Sequence, residues 1–119
     1  MKRRPTIRLK PRLRVSRGTV ILLGPGKADL LEAVREMGTL RKAAASLGMS
    51  YMRAWSLLKT MNVAFRTPLV ALARGGARHG GTTLTANGET VLRLYRKMER
   101  NSLRAVADEE RQLKKLLKG

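Results

Sequence analysis

The sequence predicts a mainly α-helical chain with small β hairpins, arranged as a winged helix-turn-helix with a long C-terminal helix. Three observations carry this expectation. Residues 39–64 hold two helix-forming stretches hinged on Gly48, each opened by a hydroxyl residue, Thr39 and Ser50. Segment 73–81 has four glycines and two arginines and lies between two short β-prone runs. From about Ala86, apolar residues recur at helical spacing to the end of the chain.

Residues 1–6 are a basic tail. In 7–15, Ile7, Leu9, Pro11, Leu13 and Val15 alternate with Arg8, Lys10, Arg12 and Arg14. Period two describes a strand with one apolar and one cationic face. Pro11 cannot donate to a ladder, so the strand is an edge or an extended arm. Ser16-Arg17-Gly18 turns the chain, and Thr19–Leu23 completes a hairpin.

Gly24-Pro25-Gly26 breaks that strand. Helix 1 follows, with Ala28, Leu30, Leu31, Val34 and Met37 on one face, and Gly38 ends it. Thr39 caps helix 2, which runs to Leu47, and Ser50 caps helix 3, which runs to about Phe65. Ala44 is the small residue where the two helices cross, and Gly48 permits the left-handed turn. Leu47, Met49, Ala54 and Leu57 are expected to bracket the turn with buried contacts.

Strands at 69–72 and 82–85 make the wing, 69–85. The winged helix-turn-helix domain is thus 1–88, and 86–119 is the C-terminal helix. Val91, Tyr95 and Met98 share one face of that helix. Leu103, Val106, Glu110, Leu113 and Leu117 follow at spacings of three and four, a short heptad seam. Val91, Tyr95, Met98, Leu103, Val106, Leu113 and Leu117 are the expected dimerisation residues. Asn101-Ser102 is where a kink or restart is expected.

Composition names the partner. The chain has 119 residues, enough for one domain, and a net charge of +18. That charge points first to nucleic acid and second to an anionic surface. No apolar run approaches the ~20 residues needed to cross a bilayer, so nothing is expected to span a membrane, and no membrane partner is expected beside nucleic acid. With no cysteine there are neither disulfides nor thiolate metal sites. The four aromatics, Tyr51, Trp55, Phe65 and Tyr95, do not form a stacking platform for single strands. Double-stranded DNA is the expected partner.

The eight acids sit in three groups: Asp29, Glu32 and Glu36; Glu89 and Glu99; Asp108, Glu109 and Glu110. Between Glu36 and Glu89 there is none, while Arg41, Lys42, Arg53, Lys59, Arg66, Arg74 and Arg78 all lie there. The helix-turn-helix falls inside this acid-free stretch, which suits a face turned to phosphate.

In helix 3, Ala54, Leu57, Leu58 and Met61 form the core stripe. Met52, Ser56, Lys59 and Val63 lie opposite, with Arg53 and Thr60 beside them. Trp55 is expected to pack. The expected DNA-binding set is Ser50, Tyr51, Met52, Arg53, Ser56, Lys59 and Thr60, where Arg53 or Lys59 could reach a guanine edge or a phosphate. Arg41 and Lys42, in the first turn of helix 2, make sense beside a phosphate. Arg74 and Arg78 of the wing, and the basic hairpin, would follow the DNA backbone.

No catalytic or cofactor constellation appears. The glycine-rich tip lacks Gly-Lys-Ser/Thr, so it is no nucleotide loop. His79 is the only histidine, and one ring without partners makes no metal site. No nucleophile is paired with a base, so no enzyme, cofactor or metal is expected.

Residues 38–62 read Gly-Thr-Leu-Arg-Lys-Ala-Ala-Ala-Ser-Leu-Gly-Met-Ser-Tyr-Met-Arg-Ala-Trp-Ser-Leu-Leu-Lys-Thr-Met-Asn. This string resembles the N-terminal DNA-binding domain of ModE-type molybdate-responsive transcriptional regulators, more specifically than the LysR-like helix-turn-helix in general. Ser50-Tyr51-x-x-Ala54-Trp55, Met61-Asn62, Gly24-Pro25-Gly26, Leu84-Thr85-x-x-Gly88 and Leu94-Tyr95 carry the likeness, over roughly 7–100. The resemblance implies a dimerising winged helix-turn-helix on a palindromic operator. It implies Ser50, Tyr51, Arg53 and Ser56 as operator-facing residues and 74–81 as the wing. In that family a separate C-terminal pair of small β-barrels binds the oxyanion. The chain ends at Gly119 without them, so it is expected to lack the effector site.

The expectation is a cytoplasmic, bacterial or archaeal, nucleoid-associated homodimer that regulates transcription by occupying double-stranded DNA. Two alternatives stand beside it. One is a non-specific architectural binder. The other is a DNA-binding module that docks a separate effector-binding protein through its wing or terminal helix.

Overall fold

The computed structural model describes residues 5–72 and 81–118. The elements in chain order are β1 (Val15–Arg17), β2 (Val20–Leu23), α1 (Pro25–Met37), α2 (Leu40–Ser46) and α3 (Tyr51–Ala64). Then come β3 (Val70–Leu72), β4 (Thr82–Leu84), α4 (Ala86–Ala105) and α5 (Ala107–Leu116). The chain is mostly helical, and β1–β2 and β3–β4 are separate antiparallel pairs.

α1 is the central element. It buries Ala28, Leu30, Leu31, Ala33 and Val34 and packs on α2, α3 and α4. It begins at Pro25, earlier than the glycine-proline break suggests. Proline at the first helical position gives up only an N–H that has no intrahelical partner. The Gly24 carbonyl then accepts the first helical bond, from Ala28 N at 2.9 Å. Gly38, at φ 79°, closes the helix in the left-handed conformation.

The turn between α2 and α3 follows the sequence expectation closely. Lys42 N donates to Thr39 Oγ1 and Arg53 N donates to Ser50 Oγ, each at 3.1 Å. Gly48 sits at φ 66°, and Met49 N returns to Ala44 O at 3.0 Å. Ala43, Ala44 and Ala54 are buried where the helices cross. Leu47 departs from expectation. It occupies the C-cap of α2 and is exposed, while Met49 and Leu57 pack at the edge of the core.

β3 and β4 pair from Val70–Leu84 to Leu72–Thr82. An isolated bridge joins Thr39 to Gly81, and Thr82 N donates to Gly38 O at 2.8 Å. The wing is therefore stitched to the loop between α1 and α2. Its tip, with Arg74, Arg78 and His79, lies outside the described residues.

The two ends of the chain differ from the sequence reading. The alternating stretch 7–14 forms no ladder, and only Val15–Arg17 pairs with Val20–Leu23, around a Gly18-Thr19 turn. Gly18 has φ 60°, which suits a two-residue hairpin loop. Pro11 removes a ladder donor, and the arm instead runs beside α4 and α5, where Tyr95 Oη donates to Leu13 O at 2.7 Å. At the other end the helix breaks at Val106, not at Asn101-Ser102. Asp108, Glu109 and Glu110 then fill the first turn of α5, where carboxylates favour the positive helix end.

The start of α4 is held by backbone proximity. Gly88 N donates to Thr85 Oγ1 at 3.0 Å, and Thr85 Oγ1 donates to Pro68 O at 2.7 Å. A Cβ on Gly88 would lie 2.1 Å from the Leu69 carbonyl oxygen, whereas one on Gly26 of α1 meets nothing within 4 Å. Gly88→Ala should therefore destabilise by about 1–3 kcal/mol despite alanine's better helix propensity. Gly26→Ala should be neutral or stabilising by up to about 1 kcal/mol. Urea denaturation of both variants checks this, and equal midpoints would show that the Gly88 contact does not constrain α4.

Candidate nucleic-acid interface

The expected reading face of α3 is open. Ala54, Leu58 and Met61 enter the core, with Leu57 and Trp55 packed at its edge. Met52, Arg53, Ser56, Lys59 and Val63 are exposed, and Val63 is 78% exposed. Thr60 is half-buried and donates its hydroxyl to Ser56 O at 2.9 Å, so its oxygen faces outward only as an acceptor. Ser50 Oγ accepts the capping bond and keeps its O–H free to donate.

Arg41 joins this face from α2. Its guanidinium lies 5.2 Å from the centroid of the Tyr51 ring, a cation–π pair between the starts of the two helices. Lys42 is exposed beside it. Arg41, Lys42, Ser50, Tyr51, Met52, Arg53, Ser56 and Lys59 are thus exposed around the outer surface of α2 and α3, with Thr60 half-buried among them.

The acids gather elsewhere. Arg96 of α4 meets Asp29 at 2.9 Å, Glu32 at 3.2 Å and Glu99 at 3.0 Å. Burial works against its charge, but hydrogen bonds to Asp29 and Glu99 and the nearby Glu32 outweigh it and raise its pKa above the usual arginine value. Arg35 pairs with Glu89 at 3.4 Å, and Glu110 with Lys114 at 2.9 Å. The paired carboxylates thus lie on α1, α4 and α5, and α2 and α3 carry none.

Asn62 is a positioning residue that sequence reasoning did not single out for this task. Its Oδ1 accepts from Leu69 N at 2.9 Å and Val70 N at 3.2 Å, and its Nδ2 donates to Val70 O at 3.1 Å. It fixes the base of the wing to α3. Thr85 was equally legible in principle, since a threonine before a helical pattern is a capping signal. Only the i,i+3 spacing to Glu99 was local for Arg96, because Glu32 and Asp29 lie 64 and 67 residues away.

Among the expected dimerisation residues, Tyr95 is instead a core residue of the protomer, 1% exposed, and Val91 packs against the same core. Burial and the neighbouring Glu99 raise the pKa of the Tyr95 phenol. Met98, Val106, Leu113 and Leu117 are exposed, and Leu103 is half-buried beside the N-terminal arm. No described helix is long and apolar enough to cross a membrane.

No family profile matches the chain. A molybdenum transport protein ModE of Azotobacter vinelandii is 38% identical over 77 residues, which cover 65% of this chain and 28% of that protein. A transcriptional regulator ModE of Haemophilus influenzae is 35% identical, covering 67% of this chain and 31% of the relative. The DNA-binding transcriptional dual regulator ModE of Escherichia coli is 34% identical, covering 60% and 27%.

The homologues of this chain are ModE-type regulators.

The chain spans less than a third of the length of these ModE relatives. Among solved structures, the CbnR DNA-binding domain in complex with DNA, a LysR-type domain, superposes with a TM-score of 0.56 at 25% identity. It covers 74% of this chain and 94% of that one. The fold is thus that of a winged-helix DNA-binding domain, as the spacing around Gly48 and the two caps implied.

Because Asn62 supplies three hydrogen bonds at the wing base, Asn62→Ala should cost about 2–4 kcal/mol, by leaving backbone groups of Leu69 and Val70 unpaired. Chemical denaturation measures it. A loss under about 0.5 kcal/mol would mean that solvent replaces the side chain freely.

Proposed function

We propose that this chain is a non-enzymatic, DNA-binding transcription regulator that acts as a homodimer on double-stranded DNA. The observation that carries the reading is the open stripe of α3 set within acid-free surroundings. A core-facing helix normally leaves a mixed-charge outer face. Here the outer face of α3 offers arginine, lysine, serine and threonine, and the acids are held by Arg96, Arg35 and the terminal helix. The ModE relatives and the DNA-bound CbnR neighbour support the same class of partner.

In this reading α3 enters the major groove, which admits one helix. Arg53 or Lys59 reaches a guanine edge, and Ser50, Tyr51 and Ser56 supply neighbouring contacts. Arg41 and Lys42 hold the flanking backbone. Arg53→Ala should weaken binding to a selected site by about 1–3 kcal/mol and relax base preference at one position per half-site. Competition between the selected site and a scrambled duplex reads this out. Equal losses on both would remove Arg53 from base recognition.

The dimer surface rests on the outer apolar residues of α4 and α5. Leu113, Leu116 and Leu117 are 57%, 83% and 48% exposed, and Met98 and Val106 are also open. A second protomer would cover them, as a palindromic site requires a two-fold protein. Leu113→Glu with Leu117→Glu should yield a monomer at micromolar concentration, since each carboxylate would have to be desolvated. Analytical ultracentrifugation reports the state. A fully dimeric double variant would place the interface elsewhere.

A further inference from the structure

The hairpin β1–β2 lies on the opposite flank of α3 from the wing. The outward stripe Met52, Ser56, Lys59 and Val63 spans about 60° of the helix surface at ~100° per residue. Asn62 and Trp55 lie roughly 80° to one side of it, and Asn62 carries the wing base through Leu69 and Val70. Arg53, Leu57, Thr60 and Ala64 lie about 100° to the other side. Those residues face the hairpin. Thr60 and Ala64 line one groove with Arg17, Val20 and Leu22. Arg53 and Leu57 line the next with Arg12, Arg14 and Ile21.

This hairpin is anchored rather than loosely attached. Leu23 is buried in the core, and the Lys27 ammonium, itself buried, donates to the Ile21 carbonyl. Tyr95 Oη holds the Leu13 carbonyl at 2.7 Å. Arg12, Arg14 and Arg17 are nevertheless exposed, and among the described residues no carboxylate lines either groove. Three arginines on an anchored backbone thus stand along one edge of α3, with Arg53 and Lys59 on the helix itself.

We propose that β1–β2 and the arm before it act as a second wing. Arg12, Arg14 and Arg17 would bind backbone phosphates of the DNA strand that borders the major groove opposite the strand met by the β3–β4 wing. A helix in a groove about 12 Å wide has a phosphate strand on either side. With a hairpin on each flank of α3, both strands are held and the helix is fixed in rotation about its own axis. This inference rests on the DNA-binding reading and adds which strand is held, and by which residues.

The test uses the full chain and a random-sequence duplex of 30 base pairs, with affinity measured at several salt concentrations. Arg12→Ala with Arg14→Ala and Arg17→Ala should lower the slope of log K against log salt by at least about 1.8 per protomer, two phosphates' worth at ~0.9 each. Its affinity should then fall about tenfold less than wild type between 50 and 200 mM salt. The triple exchange of the same arginines to lysine should keep the wild-type slope. Removal of the same charge on α4, by Arg93→Ala, Lys97→Ala and Arg100→Ala, should leave the slope unchanged. An unaltered slope in the hairpin variant, or an equal drop in the α4 variant, overturns the second wing while leaving DNA binding intact. A wild type that does not bind the duplex overturns the DNA-binding reading and this inference with it.

Discussion

The backbone of Leu69 and Val70 is the junction on which the geometry of this protein depends. α3 reaches it through Asn62, which bonds both amides and one carbonyl. The returning strand reaches it through Thr85 N, which donates to Leu69 O at 2.9 Å. α4 reaches it through Gly88, the one residue type whose absent Cβ lets the helix sit against that carbonyl. Leu69 itself is fully buried. Two short strands pair too little surface to hold a position by themselves. This knot gives the wing its fixed angle to α3 and gives α4 its fixed start, so the stripe on α3 and the face of α4 are set by one contact region.

Charge is organised on the same frame. Asp29 and Glu32 of α1 pair with Arg96 of α4, Glu89 of α4 pairs with Arg35 of α1, and Glu99 pairs with Arg96 within α4. That arrangement contributes modestly to stability, since most of these partners are exposed. Its larger consequence is spatial. The acids sit on α1, α4 and α5, and α2, α3 and the β1–β2 hairpin carry cations and no carboxylate. A field of one sign over a surface raises the encounter rate with a polyanion and weakens with salt. Net charge alone would suit an architectural protein equally well. What argues for a reader is the ordered, capped α3, with Ser56 and Lys59 on its open stripe and Arg53 on its hairpin flank.

How much of this was legible in the sequence follows from the range of each interaction. The helix-turn-helix was legible because its determinants are local: Thr39 and Ser50 cap within three residues, and Gly48 supplies the positive φ at the turn. The open face of α3 followed from periodicity. Segment 7–14 was misleading because alternation reports two different faces, not the presence of a neighbouring strand, and no partner pairs with it. The C-terminal break was masked because heptad spacing survives a one-residue interruption at Val106, although Asp108-Glu109-Glu110 marked a fresh helix start. Tyr95 shares a face with Met98 on the helical wheel, yet its phenol reaches back 82 residues to Leu13 and so belongs to the core. The pairing of Arg96 with Asp29 and Glu32 was invisible for the same reason of separation in sequence.

In the reading proposed above, the open stripe of α3 reads duplex DNA as part of a two-fold assembly. Selection of bound fragments from a pool of random duplex DNA, at a salt concentration that suppresses purely electrostatic binding, tests it most directly. The expected result is enrichment of a palindrome whose half-sites lie about one helical turn apart, 10–10.5 base pairs, or a multiple of that. Tight binding of the pool with no enriched sequence would contradict it, and would assign the +18 charge to architectural binding instead.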